Sequence, residues 1–210
     1  MSSKAWQLGS PGTLVYGLYD GLRKRLNRKL VAYILSVGTS RENCIILEAG
    51  SGPAFASSII ALDPCVGLSI AVDIDLEALL EARRRDPSLA LVVADLMKLP
   101  FRDENLDLAW NSSTIEHLGN PGAALAEMER VTRPGGKVFV GVPNLYGPLG
   151  CQRWFKNTSA GVWIGETFDC NQLSEMMGCA GLRPEASIFY FFRFFVGVLA
   201  KKHGSVDVKS

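Results

Sequence analysis

Four groups of residues have the types and spacing to do chemistry on a small ligand. The first is Ile46-Leu47-Glu48-Ala49-Gly50-Ser51-Gly52-Pro53, an apolar run ending in an acid and two glycines one residue apart. Glycines so placed let a backbone turn sharply beside a bound molecule, and the carboxyl end of a buried strand is where open α/β sheets take ligands. The second is Asp73, which closes Ala71-Val72 and could accept both hydroxyls of a ribose lying across the strand ends. The third is Asp95, followed by Leu99-Pro100-Phe101 and Asp103. Its carboxylate could accept from an exocyclic amine while an apolar neighbour such as Leu96 packs on a flat ring. The fourth is Asn111-Ser112-Ser113-Thr114-Ile115-Glu116-His117, which sets one of only two histidines beside an acid. An imidazole with an ordinary pKa of about 6.5 suits removal of a proton from a phenol or hydroxyl.

The same residues weaken other readings. A dinucleotide fingerprint wants glycine or alanine where Phe55 stands, and no Gly-Lys-Ser/Thr follows the turn as a phosphate loop requires. Asp75 reads as a helix N-cap rather than a ligand. The five cysteines, at 44, 65, 151, 170 and 179, are an odd number without a C-x-x-C pair and read as reduced thiols.

The elements that must position these groups follow from periodicity. Near-continuous apolar runs at 44–47, 68–72, 89–94, 106–110 and 137–142 read as strands buried on both faces of a parallel sheet. Helical windows lie between them at 54–62, 76–84 and 121–132, and 96–105 reads as loop or a single turn. Such alternation predicts a doubly wound α/β sheet with right-handed crossovers. Ahead of it, Leu14, Leu18, Leu22, Leu26, Leu30 and Ile34 recur every four residues among arginines and lysines, an amphipathic basic helix. Behind it, 145–166 has no clean period, 171–179 reads as a helix, and 186–192 with 195–201 reads as two tightly joined, hence antiparallel, strands. The dense aromatics of Phe189 to Phe195 are expected in the core.

Composition sets the outer bounds. The 210 residues are 48% hydrophobic and 20% charged, as in a single folded domain, which excludes intrinsic disorder. A net charge of +1 offers no global field for nucleic acid. Without a secretory pattern at the start or an apolar run near the roughly 20 residues of a membrane span, a cytoplasmic protein is expected.

Taken together, Glu48-x-Gly50-x-Gly52, Asp73 and Asp95, with Leu106-Asp107, Ile115-Glu116-His117-Leu118, Glu129-Arg130-Val131 and Arg133-Pro134-Gly135-Gly136, closely resemble the class I S-adenosylmethionine-dependent methyltransferases of the ubiquinone-biosynthesis-like, type 11 group. The resemblance spans about 45–144. It implies a Rossmann-like sheet of seven strands, the last antiparallel, and S-adenosyl-L-methionine as cofactor. It further implies cofactor-binding residues Glu48, Gly50, Ser51, Gly52, Asp73, Ile74, Asp95, Leu96 and Asn111. Of these, Glu48 and the glycine turn serve the methionine part, Asp73 the ribose, and Asp95 with the Leu96 amide the adenine. Ala54 stands where many members have a third glycine and is expected to tighten the pocket slightly.

The chain then divides into an N-terminal lid helix (1–37), a cofactor-binding core (44–144), an acceptor-side insertion (145–170) and a C-terminal helix and strand pair (171–201). Methyl transfer from a sulfonium depends mainly on alignment, worth about 7–11 kcal/mol, against roughly 3–5 kcal/mol for a general base. His117 is the candidate base, and Glu116 either orients it or faces water. Ser113 stands where quinone-methylating relatives can carry a second acid, so no metal ion is expected. Asn111 followed by serines lacks the Pro-Pro-aromatic signature of amide and adenine methylation, and the Pro-Cys nucleophile of cytosine methylation is missing. Tyr16, Tyr19, Tyr146, Trp154, Phe155 and Trp163 would wall a small apolar or aromatic acceptor. The alternatives are a catalytically inactive cofactor-binding adaptor of the same fold and a protein or RNA methyltransferase.

Overall fold

The computed structural model describes residues 14–38, 41–148, 150 and 165–204, with side chains in the first helix from Arg25 onward. In chain order the elements are α1 (Leu14–Gly38), β1 (Cys44–Ala49), α2 (Phe55–Ile60), β2 (Val66–Asp73), α3 (Leu76–Arg85), β3 (Ala90–Val93) and β4 (Leu106–Ser112). A 3-10 turn (Ile115–His117), α4 (Pro121–Val131), β5 (Thr132–Pro143), α5 (Cys170–Cys179), β6 (Leu182–Tyr190) and β7 (Phe195–Lys202) follow.

The strands form one seven-stranded sheet in the order β3-β2-β1-β4-β5-β7-β6, parallel except for β7, which runs antiparallel to both neighbours. The expected alternation and the antiparallel hairpin are both present. Order reverses between β1 and β4, so the carboxyl ends of these two strands flank the switch point at which open α/β sheets bind ligands. Apolar side chains fill both faces. Leu47, Val72, Ala109, Val138 and Val140 pack with Leu125 and Met128 of α4 and Leu173 and Met177 of α5. On the other face Ile46, Leu108, Trp110 and Phe139 pack with Leu30, Val31 and Ile34 of α1 and Ile60 of α2. Within the described part of α1, Arg25, Arg28 and Lys29 are exposed, as the basic face requires.

Helix ends follow local chemistry. Asp75 caps α3 by accepting from the backbone N–H groups of Glu77 and Ala78, and Asn120 caps α4 ahead of Pro121 in its first turn. Two polar clamps hold the sheet's loops. At the amino end of β4, Asp107 accepts from Arg41 (2.6 and 2.9 Å), Arg133 (2.6 Å) and the Ile45 N–H (2.8 Å). The Arg130 guanidinium bonds Glu127 and Asp103 and donates to the carbonyls of Leu99 and Phe101, which fixes the loop after β3.

Three expectations need correction. The aromatics of Phe189 to Phe195 are not core as a group: Phe189 is 47% exposed and Phe192 72%, because β6 is an edge strand and residues 191–194 form its turn. That turn carries Phe191, Phe192 and Arg193 at positive φ, a conformation side chains rarely take. Ala54 also has positive φ (52°), and its methyl is fully buried against Ala71, Ala82 and Leu89. Glycine would suit that backbone, but alanine there does not narrow a pocket. Finally, β6 begins at Leu182 rather than 186 and β5 at Thr132 rather than 137. Trp154, Phe155 and Trp163, and the side chains of Tyr16 and Tyr19, lie outside the described residues.

Candidate active site at the carboxyl edge of the sheet

The turn after β1 is built for close approach. Gly50 has φ 78°, and a Cβ there would strike the Thr114 side chain, while a Cβ on Gly52 (φ 50°) would meet open space. Both Gly50 and Ser51 donate their N–H to the Val72 carbonyl, tying the turn to β2 (2.8 and 2.9 Å). Asp73, at the end of β2, accepts from the Gly52 N–H through one carboxyl oxygen (2.6 Å) and from the Asp75 N–H through the other (2.9 Å). Each oxygen keeps a lone pair for a further donor. Asp73 thus both braces the glycine turn and remains able to receive ribose hydroxyls.

Glu48 is buried beneath the turn, with one oxygen accepting from the N–H (2.9 Å) and hydroxyl (2.5 Å) of Ser57. Burial pushes its carboxyl up to about 7, against the two Ser57 bonds and with help from the charge of Asp73. Near neutrality it is therefore half protonated, and a cationic amine that it receives would draw the proton off. We expect S-adenosylhomocysteine to bind more tightly as pH rises from 6 to 8, with net proton release. Glu48→Gln should flatten that dependence in titration calorimetry run in two buffers of different ionisation enthalpy.

At the end of β3, Asp95 makes an Asx turn, one oxygen accepting from the Met97 N–H (2.9 Å). The Leu96 side chain, expected to pack on a flat ring, is instead turned into the core and 5% exposed, so Leu96 offers its amide alone. Apolar surface at this edge comes from Ile74 (69% exposed) and Met97 (38%). Asn111, at the end of β4, donates its side-chain amide to the Ala49 carbonyl and so joins β4 to the glycine turn.

Beyond Asn111 the chain enters the turn that follows β4. Ser113 takes φ 62°, and the 3-10 turn buries Glu116 and leaves the His117 side chain about a quarter exposed, its Nε2 3.9 Å from a Glu116 oxygen. Partial burial holds the imidazole below its ordinary value, so it is neutral at pH 7. Gly165 lies against His117, and the Glu166 N–H donates to the Glu116 carbonyl (3.0 Å), roofing the turn.

One residue here escaped sequence reasoning. Tyr190 crosses the sheet from β6, over Gly197 and Gly141, to place its hydroxyl 2.8 Å from Ser112 Oγ on β4. A Cβ on Gly141 would collide with that hydroxyl. Glycines on two adjacent strands were the available signal.

The residues fit the cofactor implied above, judged by unmet polar capacity. Among the described residues, the buried side-chain polar atoms without a hydrogen-bond partner are Trp110 Nε1, Asn111 Oδ1 and both Glu116 carboxyl oxygens. All lie within 110–116, beside the glycine turn. Native interiors satisfy such atoms, and Asn111 Oδ1, whose amide nitrogen already bonds the Ala49 carbonyl of the glycine turn, is the one placed to meet a polar ligand held there.

Sheet order and the reversed β7 are those of the Rossmann-like methyltransferase fold. Residues 47–140, somewhat under half of the chain, match the family model described as a methyltransferase domain. A probable S-adenosylmethionine-dependent methyltransferase of Mycobacterium tuberculosis is 37% identical over 47% of this chain and 35% of its own length. A demethylmenaquinone methyltransferase of Beutenbergia cavernae is 32% identical over 60% and 56% respectively. The chain spans between 30% and 62% of the length of such curated relatives. In fold it is similar to 1,6-didemethyltoxoflavin-N1-methyltransferase of Burkholderia thailandensis, solved with S-adenosylhomocysteine (TM-score 0.69, 19% identity, 89% of this chain and 82% of that one).

The two acids near the end of β2 should separate by experiment. Asp73→Ala removes a carboxylate able to accept from ribose hydroxyls, and a hydrogen bond to a charged group is worth about 1.5–3 kcal/mol, so S-adenosylhomocysteine is expected to bind roughly 10- to 150-fold more weakly. Asp75→Ala removes a helix cap and should lower stability by about 1 kcal/mol with affinity unchanged. Calorimetry and urea denaturation of both variants check the ranking.

Proposed function

We propose that the protein transfers a methyl group from S-adenosyl-L-methionine to a small, apolar or aromatic acceptor. The carrying observation is the strand-end set at the switch point of the sheet: Asp73 accepting from the Gly52 N–H, buried Glu48 beneath that turn, and Asn111 bonded to Ala49 with its Oδ1 unpartnered. Glu48 and the Gly50-Ser51-Gly52 turn would hold the methionine part of the cofactor, Asp73 the ribose, Asp95 and the Leu96 amide the adenine, with Ile74 against the ring and Asn111 at the junction. When bound, the cofactor supplies a methyl group already activated by a sulfonium leaving group. The protein's part is to align the acceptor, keep out water, and receive a proton.

His117 Nε2 is the atom we assign to that proton. It is neutral at pH 7, lies in the turn beyond β4, and is separate from the strand-end residues assigned to the cofactor. Tyr146 (79% exposed) adds apolar surface near the end of β5. No helix among the described residues is long and apolar enough to cross a membrane, which accords with an acceptor reached from solution.

Incubation with S-adenosyl-L-methionine labelled in the methyl group and a fractionated metabolite extract tests the reading. Label is expected in a small-molecule fraction. Cofactor binding with no label in any fraction would favour an inactive adaptor, and label in protein or RNA a macromolecular acceptor.

A further inference from the structure

Among the described residues, Glu116 is the one buried acid whose carboxyl makes no hydrogen bond of good geometry. Asp107 is met by two arginines and a backbone N–H, and Glu48 by the N–H and hydroxyl of Ser57. Glu116 is 3% exposed, yet neither carboxyl oxygen has a partner at hydrogen-bond geometry. An unmet buried polar group is costly, and a purely structural position would be better served by leucine. The groups around it are its own backbone N–H and the Ser113 hydroxyl, neither at hydrogen-bond geometry, His117 Nε2 at 3.9 Å, and the Tyr190 hydroxyl, which Glu116 is close enough to influence and which bonds Ser112.

We propose that Glu116 selects the acceptor, pairing its carboxyl with an acceptor group that both donates and accepts a hydrogen bond, such as a hydroxyl or a hydroxyl beside a carbonyl. The inference rests on the methyltransferase reading and deepens it by naming a substrate class. Burial pushes the carboxyl up to about 8, although its own backbone N–H and the Ser113 hydroxyl pull it partly back. At neutral pH it is therefore largely protonated and presents one O–H and one carbonyl oxygen. A neutral donor-and-acceptor group satisfies both, whereas an anion leaves the carbonyl oxygen facing negative charge and a cation leaves the O–H opposed. An acceptor bound here has its polar end between Glu116 and His117, where the transferred proton is received.

The test uses the full chain saturated with S-adenosylhomocysteine and two probes of nearly equal shape, catechol and ortho-xylene, titrated by calorimetry. Wild type is expected to prefer catechol by about tenfold or more, since ortho-xylene leaves the buried carboxyl unpaired. Glu116→Leu should erase the preference, and Glu116→Gln, whose amide also donates and accepts, should keep it within about threefold. A second readout needs no acceptor: Glu116→Leu removes an unmet polar group and should raise the melting temperature by about 2 °C or more. Equal affinity for the two probes in wild type, no binding of catechol, or an unchanged preference in Glu116→Leu overturns the proposal. So does a Glu116→Leu protein that melts lower or fails to fold, which would show a structural carboxyl. If S-adenosylhomocysteine itself does not bind, the methyltransferase reading fails and this inference with it; if it binds and only the preference is absent, this inference alone fails.

Discussion

Asp107→Ala is expected to lower the stability of the folded chain by about 2–4 kcal/mol, read as a shift of the urea midpoint at pH 7. Asp107 is 2% exposed and gathers Arg41, the Ile45 N–H of β1 and Arg133 at the head of β5 onto β4. Alanine leaves that N–H unmet and takes the carboxylate from two guanidinium groups, of which Arg133 keeps only its bond to the Pro134 carbonyl. The side chains of Arg41 and Arg133 are 53% and 29% exposed and regain water, which holds the loss below the upper end of the roughly 3–5 kcal/mol seen when a buried pair is broken. Desolvation raises the Asp107 carboxyl, but the bonds from Arg41, Ile45 and Arg133 outweigh it, and the net displacement is downward. An acid lowered by folding contributes stability above its unfolded pKa of about 3.9 and loses it as pH falls through the folded value. The gap between wild type and variant should therefore narrow below pH 4. A gap that stays constant down to pH 2 would show that the clamp is not electrostatic.

His117→Ala should lower turnover by roughly 10²-fold or more, with S-adenosylhomocysteine affinity changed by less than about threefold. The split follows from position: the residues proposed to hold the cofactor lie at the ends of β1 to β4, and His117 stands in the turn beyond β4. Because burial lowers its pKa, the imidazole is in its proton-accepting form at pH 7 and loses that form only as pH falls well below 6.5, so activity on a hydroxyl acceptor should show an acidic limb there. The limb should vanish in the variant. Normal turnover by His117→Ala would make the imidazole structural and leave the reaction to alignment or to an acceptor already deprotonated.

What the sequence disclosed divides by range of interaction. Strands β1 and β4 carry their own signal, because a strand buried on both faces must be largely apolar, whereas the apolar run of β3 forms an edge strand left partly exposed; Asp75 and Asn120 cap helices through bonds two or three residues away. The strand-end acids Asp73 and Asp95 were placed by element order alone. The clamps were not legible. Arg41 and Asp107 are 66 residues apart, and nothing local in either marks the other. Tyr190 was hidden within an aromatic run that reads as core, since only the register of β5, β6 and β7 reveals that Gly141 and Gly197 clear its path to Ser112. For the same reason Leu96 was assigned a ring-packing side chain: residues at a strand end alternate faces, and which face meets the core depends on α4 and the clamp of Arg130. Glu116 looked solvent-facing or orienting, because a lone acid on a loop discloses nothing of the roof that 165–166 places over it.

The claim on which the rest stands is that the edge formed by Gly50–Gly52, Asp73, Asp95 and Asn111 holds S-adenosylmethionine. Parallel calorimetric titrations of the purified protein with S-adenosylhomocysteine and with NAD test it most directly. Phe55 stands where a dinucleotide turn needs a small residue, and its ring lies beneath the Arg85 guanidinium, 4.1 Å from the ring centre. S-adenosylhomocysteine is therefore expected to bind at least about tenfold more tightly than NAD, a difference of roughly 1.4 kcal/mol or more. Tighter binding of NAD, or no binding of S-adenosylhomocysteine, would contradict it.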